Sequence, residues 1–164
     1  MIFVVLGTQK FQFNRLLKKL DELSNDGKVE RIFAQIGQSD YQPKNYEYER
    51  FLDKDVFEKK MEECSMLITH SGVGTIISGM NHSKPVLVVP RLQKYGEHID
   101  DHQLQIAKAF SKKNYVSMCV DIDKLYEVIQ QVQCHTYSRY QSHREEAITI
   151  IDSYLSEIEQ KKFH

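Results

Sequence analysis

Two short stretches of the chain gather residue types that bind and polarise ligands. The first is His70-Ser71-Gly72-Val73-Gly74-Thr75, a turn that follows the apolar run Met66-Leu67-Ile68-Thr69. Glycines in such a turn let backbone approach a ligand closely, and free N–H groups at the start of the next helix favour an anion such as phosphate. The same pattern also serves turn geometry alone. It is not a dinucleotide fingerprint, because the third glycine is absent (Ile77 follows Ile76) and the first apolar run leads into Gly7-Thr8-Gln9. Without a Walker A lysine, P-loop ATP hydrolysis is disfavoured along with NAD binding. The second stretch is Glu97-His98-Ile99-Asp100-Asp101-His102-Gln103. His98 and His102 would share a helix face, which permits a metal reading, but no HExxH glutamate accompanies them and the helix is expected to start near Asp100. Asp100-Asp101 is not the DxD pattern that holds a divalent ion on a sugar nucleotide. Asp100 suits a helix cap, whereas Asp101, His102 and Gln103 at a helix start suit sugar hydroxyls, each of which needs a donor and an acceptor.

Other chemistry is set aside. Ser71 lies in no GxSxG elbow, and neither Cys64 nor Cys119 falls in a loop beside a base. Tyr41, Tyr46 and Tyr48 read as packing on a strand face rather than as a base-stacking surface.

The elements that must position these stretches follow from hydrophobic pattern. Apolar runs predict strands at Met1–Leu6, Val29–Ile36, Met66–Thr69, Pro85–Val89 and Tyr115–Val120, and alternation predicts a short one at Tyr46–Phe51. Helices are expected through Phe13–Leu20, Asp55–Glu63, after Thr75, around Leu104–Phe110, after a capping Asp121, and over about 142–161, where Ile148, Ile151, Leu155 and Ile158 form a stripe. Alternating strands and helices predict one α/β domain over 1–164, a doubly wound, Rossmann-like parallel sheet with helices on both faces. Ligands of such sheets sit beyond the strand carboxyl ends at the switch point, where Gly7–Lys10 and the turn after Thr69 belong. The chain of 164 residues, with 22 Lys+Arg against 23 Asp+Glu, carries no electrostatic footprint for nucleic acid. No apolar run nears the roughly 18 residues of a membrane span, the N-terminus makes a poor signal peptide, and the three cysteines offer no disulfide framework or CxxC pair. A cytoplasmic protein is expected.

Taken together, Thr69–Thr75, Lys84–Pro90 and Asp101–Ala107 resemble the C-terminal half of GT-B glycosyltransferases of family 28, which includes the Alg13-type subunits. The string Pro90-Arg91-Leu92-Gln93-Lys94-Tyr95-Gly96-Glu97-His98-Ile99-Asp100-Asp101-His102-Gln103, with Gly7-Thr8, Phe11, Phe13 and Arg15, is similar to the PssE/Cps14G-type subunits of bacterial capsule and exopolysaccharide synthesis. The resemblance implies a UDP-sugar donor. Its pyrophosphate would meet His70, Ser71, Gly72, Val73, Gly74 and Thr75, faced by Gly7 and Thr8. Nucleoside and sugar would fall to Pro90, Arg91, Glu97, His98, Asp101, His102 and Gln103. The glutamate that grips ribose in MurG-like members is replaced by Ser78.

N–H dipoles with His70 as catalytic residue could then stabilise the β-phosphate as the sugar bond breaks, without a metal or other cofactor. The acceptor half would come from an Alg14-like (PssD/Cps14F-type) membrane-anchored partner that binds a lipid-linked saccharide and draws this chain to the inner face of the membrane. The C-terminal helix would pack on its own domain and could reach that partner. The alternative is a non-catalytic enhancer that stabilises a partner glycosyltransferase; an epimerase-like enzyme fits less well, since such enzymes carry both halves in one chain.

Overall fold

Apolar runs rich in β-branched and aromatic residues favour strands that are covered on both faces; four such strands, with a more exposed one at each edge, pair into one parallel sheet. The computed structural model describes residues 1–141, 148–152 and 155–156. Its strands are β1 (Ile2–Val5), β2 (Ile32–Gln35), β3 (Glu47–Glu49), β4 (Met66–Thr69), β5 (Val86–Val88) and β6 (Ser117–Met118), in the order β3-β2-β1-β4-β5-β6. The chain builds outward from β1 in one direction and then from β4 in the other. The carboxyl ends of β1 and β4, in register from Ile2 opposite Met66 to Val5 opposite Thr69, therefore meet at the switch point.

Alternation along the strands separates two cores. Ile2, Val4, Leu6, Ile32, Ala34, Ile68 and Leu87 face helices α1 (Asn14–Asn25) and α5 (Leu125–Cys134), which contribute Leu16, Leu17, Leu20, Leu125, Ile129 and Val132. Phe3, Val5, Phe33, Leu67, Val86 and Val88 face α2 (Lys54–Glu63), α3 (Val73–Asn81) and α4 (His102–Lys112), through Met61, Ile76, Met80, Ala107 and Phe110. This is the doubly wound α/β domain that the pattern predicts. Tyr41, Tyr46 and Tyr48 pack on the first core, as expected. Asp121 caps a 3-10 turn (Ile122–Lys124) that leads into α5, through an N–H bond from Asp123. In the C-terminal segment the described residues 148–152 and 155–156 are helical. There Ile150, outside the predicted stripe, is buried and Ile151 packs on the second core, while Ile148 is 49% exposed; Ile158 lies outside the described residues.

One crossover departs from simple alternation. Parallel strands are usually joined through a helix, but β2 reaches β3 through a loop over 36–46. Asp21, on α1 and almost wholly buried, substitutes for the missing helix. Its carboxylate accepts hydrogen bonds from the Tyr41 hydroxyl (2.6 Å) and from the backbone N–H groups of Lys44 (3.0 Å) and Asn45 (2.8 Å), and from the Asn45 amide (3.0 Å). Burial opposes its ionisation, yet these donors outweigh burial and hold the carboxyl below its ordinary value.

A carboxyl with a depressed native pKa contributes fully above its ordinary value of 3.8, and that contribution disappears as pH falls through the lower native value. Asp21→Ala is expected to cost about 2 kcal/mol or more at neutral pH, because several donors lose their acceptor. It should also remove part of the decline in urea midpoint between neutral pH and about pH 3. Equilibrium urea titrations of both proteins check this; an unchanged midpoint at neutral pH would refute the role of Asp21.

Candidate functional site

The loop after β1 and the turn after β4 meet at the switch point around one imidazole. His70 leaves β4 and is 8% exposed. A Cβ on Gly7 would lie 2.7 Å from its Nε2, and a Cβ on Gly72 would lie 2.6 Å from its Cε1 and 2.7 Å from Nε2. Both glycines are thus required by the ring between them, and Gly7 also adopts a left-handed φ of +74°. Gly72 is the N-cap of α3 and has no side chain with which to cap it. The first-turn N–H groups of α3, from Val73 to Thr75, lack intrahelical partners by the geometry of a helix start, and they follow directly on Gly72, which packs against the His70 ring. Gly74 and Thr8 are exposed, and space around the Gly74 Cα is open.

Behind His70 lies a buried network. The Gln103 side chain, at the start of α4, accepts N–H bonds from Arg91 (3.0 Å) and Ser71 (3.4 Å), and its amide nitrogen stands 3.2 Å from His70 Nδ1. The guanidinium of Arg91 is 1% exposed and donates from Nη2 to the carbonyl of Leu6 at 2.9 Å, anchoring the β1 loop. Its Nε and Nη1 are buried without partners, as are Arg15 Nη1 and the Ser71 hydroxyl, so the unsatisfied buried side-chain atoms of the described residues gather around this end of the sheet. Burial pushes Arg91 down to about 10, with Glu97 opposing, so it remains a cation at neutral pH. Burial first, and then the Arg91 charge, push His70 down to about 3. The imidazole is therefore neutral.

The remaining candidates divide between wall and rim. Glu97 is a wall residue: its carboxylate takes Arg15 Nε at 2.7 Å and Arg15 Nη2 at 3.1 Å, and it accepts the Leu92 N–H at 3.0 Å. Pro90 is buried, and its carbonyl accepts from Arg15 at 3.4 Å. Asp101 closes the loop by accepting the Gln93 N–H at 2.9 Å. His98 stacks on Phe11 of the β1 loop, with ring centroids 4.6 Å apart. Since α4 begins at His102, His98 lies outside it, and the shared helix face that the metal reading needed does not form. Both histidines instead pair with Asp100, at 3.1 and 3.0 Å, and the Asp100 carboxylate also caps the His102 N–H. Phe11 and the Arg15–Glu97 pair were not assigned contacts from sequence, since nothing local marks two residues so far apart as partners. A separate concavity of about 640 Å³, lined by Pro85, Tyr115, Tyr137 and Tyr140 among others, contains none of the candidate residues.

Comparison with known proteins agrees with this fold. The family described as glycosyltransferase family 28 C-terminal domain matches residues 1–158. The human "UDP-N-acetylglucosamine transferase subunit ALG13" is 27% identical over 130 residues, 72% of this chain, and the subunit of the same name from Candida albicans is 37% identical over 57 residues, 35% of this chain. The chain spans only 11% of the human protein and 18% of the yeast one. Among solved structures, the NMR structure of ALG13 aligns over 92% of this chain and 94% of its own, at TM-score 0.62 and 18% identity. MurG of Acinetobacter baumannii aligns over 94% of this chain and 49% of its own, at TM-score 0.54 and 16% identity.

A histidine held neutral by burial makes the fold acid-sensitive. The unfolded chain takes up a proton near 6.5 and the native one only near 3, so the contribution of neutral His70 is full above 6.5 and falls as pH drops from there towards about 3. The His70 ring signals should therefore show no titration between about pH 5 and 8 in NMR, and His70→Asn should lessen the acid decline in stability. Gly72→Ala should cost about 1–3 kcal/mol in urea unfolding and displace that ring, because the added methyl meets it below contact distance. A His70 signal that titrates near 6.5 would contradict the buried, neutral assignment.

Proposed function

The chain belongs to the glycosyltransferase family 28 C-terminal domain family, and from that premise we propose that it is the UDP-sugar-binding subunit of a two-component inverting glycosyltransferase. The observation that supports this most is the start of α3, without a side-chain cap, beside the neutral His70 ring that Gly7 and Gly72 flank at the switch point. Helix N–H groups and a ring N–H suit the pyrophosphate of a nucleotide sugar. Thr8, Ser71, Val73, Gly74 and Thr75 belong to the same phosphate-facing set. His98, Asp101 and His102 line the rim where nucleoside and sugar would extend, while Pro90, Arg91 and Glu97 form the wall beneath. The relatives named as transferase subunits for UDP-N-acetylglucosamine favour a UDP-hexose donor of that kind.

In the reaction, the acceptor hydroxyl attacks the anomeric carbon from the face opposite the nucleotide. A new C–O bond forms, the bond to the β-phosphate oxygen breaks, and its electron pair leaves with UDP. The proton of the hydroxyl passes to a base on the other half of the assembly. This chain's part is to bind the diphosphate and to meet its growing charge with oriented N–H dipoles and His70, so that no metal is needed. Arg91 is covered by protein and acts on the site through its field rather than by contact. No helix among the described residues is long and apolar enough to cross a membrane. In this reading an Alg14-like, membrane-anchored partner supplies the lipid-linked acceptor, in capsular or exopolysaccharide synthesis on the cytoplasmic face.

Isothermal titration with UDP and a panel of UDP-sugars tests this reading. Binding is expected with EDTA as well as with Mg²⁺, and His70→Ala should weaken it about tenfold, the value of one bond to a charged group. Gly74→Asp places a carboxylate in open space at the start of α3, so the protein should fold normally and lose at least tenfold in affinity through charge repulsion. UDP binding that depends on Mg²⁺, or that ignores Gly74→Asp, would overturn the assignment. Absence of binding both alone and with the partner would leave a stabilising subunit, a reading that Ser78 in the ribose position favours.

A further inference from the structure

The partners of Gln103 determine where His70 keeps its proton. The two N–H groups at 3.0 Å (Arg91) and 3.4 Å (Ser71) are backbone donors, so the atom that receives them must be the amide oxygen. The NH₂ group is thereby turned to His70 Nδ1, 3.2 Å away. An amide nitrogen cannot accept a hydrogen bond, so Nδ1 must present its lone pair, and the single proton of a neutral ring must sit on Nε2. Nε2 is the ring atom that both glycines approach, since a Cβ on either would lie 2.7 Å from it, and Gly72 is the N-cap of α3.

We infer that Gln103 is a positioning residue that fixes His70 as the Nε2–H tautomer and aims that N–H between Gly7 and Gly72. With both lone pairs of its oxygen engaged and the residue 6% exposed, Gln103 has no acceptor capacity left for a sugar hydroxyl. The sequence expectation that it reads the sugar gives way to a role one layer behind the ligand. The charged and titratable groups that bear on the ring are Arg91 and His98, and both disfavour a second proton on it. The consequence for affinity rests on the donor reading proposed above, but the tautomer itself does not.

The discriminating variant is Gln103→Glu. A carboxylate still accepts from Ser71 and Arg91, yet it offers no N–H to Nδ1 and draws a proton to that atom instead. Two-bond ¹H–¹⁵N correlation NMR of the full chain reads the tautomer, with the His70 signals assigned by their loss in His70→Asn. Wild type should show Nε2–H, and Gln103→Glu should show Nδ1–H or the doubly protonated ring. UDP affinity should fall about tenfold in the variant when the ring is neutral Nδ1–H, since a lone pair then faces the phosphate. A wild-type ring protonated on Nδ1, an even mixture of tautomers, or an unchanged tautomer in folded Gln103→Glu would each overturn the inference. If the variant does not fold, the wild-type spectrum alone decides. If UDP binds neither protein while wild type shows Nε2–H, the donor reading fails and the positioning role stands.

Discussion

One side-chain amide connects the parts of this site. Gln103 begins α4, yet its oxygen holds the backbone after β4 at Ser71 and the backbone after β5 at Arg91, and its nitrogen meets His70. The segments after two neighbouring strands and the start of α4 are thus set relative to one another by a group with no charge. A carboxylate or a hydroxyl could make only part of this set, because the site needs both an acceptor and a donor on a reach of this length. The glycines follow from that placement: once the ring is fixed, Gly7 and Gly72 have no room for a side chain.

The second constraint is electrostatic. Arg91 stays cationic inside the domain with carbonyl oxygens, and not a carboxylate, as its hydrogen-bond partners. The nearby carboxylate of Glu97 is committed to Arg15 through two hydrogen bonds. This pairing leaves an excess of positive charge beneath the β1 loop, and a buried charge without close pairing is costly to stability. Such a cost at a switch point fits the anionic donor proposed above.

The four inner strands were legible from sequence because a strand covered on both faces needs an apolar run; all six predicted segments became strands, and all but Met66–Thr69 are shorter than predicted. The position of the two loops at the switch point followed from alternation alone. Long-range pairing was not legible. Arg15 and Glu97 are separated by 82 residues, and the burial of Arg91 depends on carbonyls of the β1 loop. The helix-free crossover to β3 was hidden for the same reason, since the anchor for the 36–46 loop is an aspartate on α1 whose type alone suggests an exposed position. For His98 and His102 the helical spacing carries no meaning, because the helix starts at the second of the two, close to where the sequence places its start.

The covered guanidinium also separates the site from the ionic strength of its surroundings. Exposed pairs such as Arg31–Glu47 and Lys59–Glu63 lie where mobile ions collect, and salt weakens them. Counterions cannot approach Arg91, so its field on His70 keeps most of its strength in concentrated salt. The neutral state of that imidazole is therefore set by the fold and varies little with the medium around it.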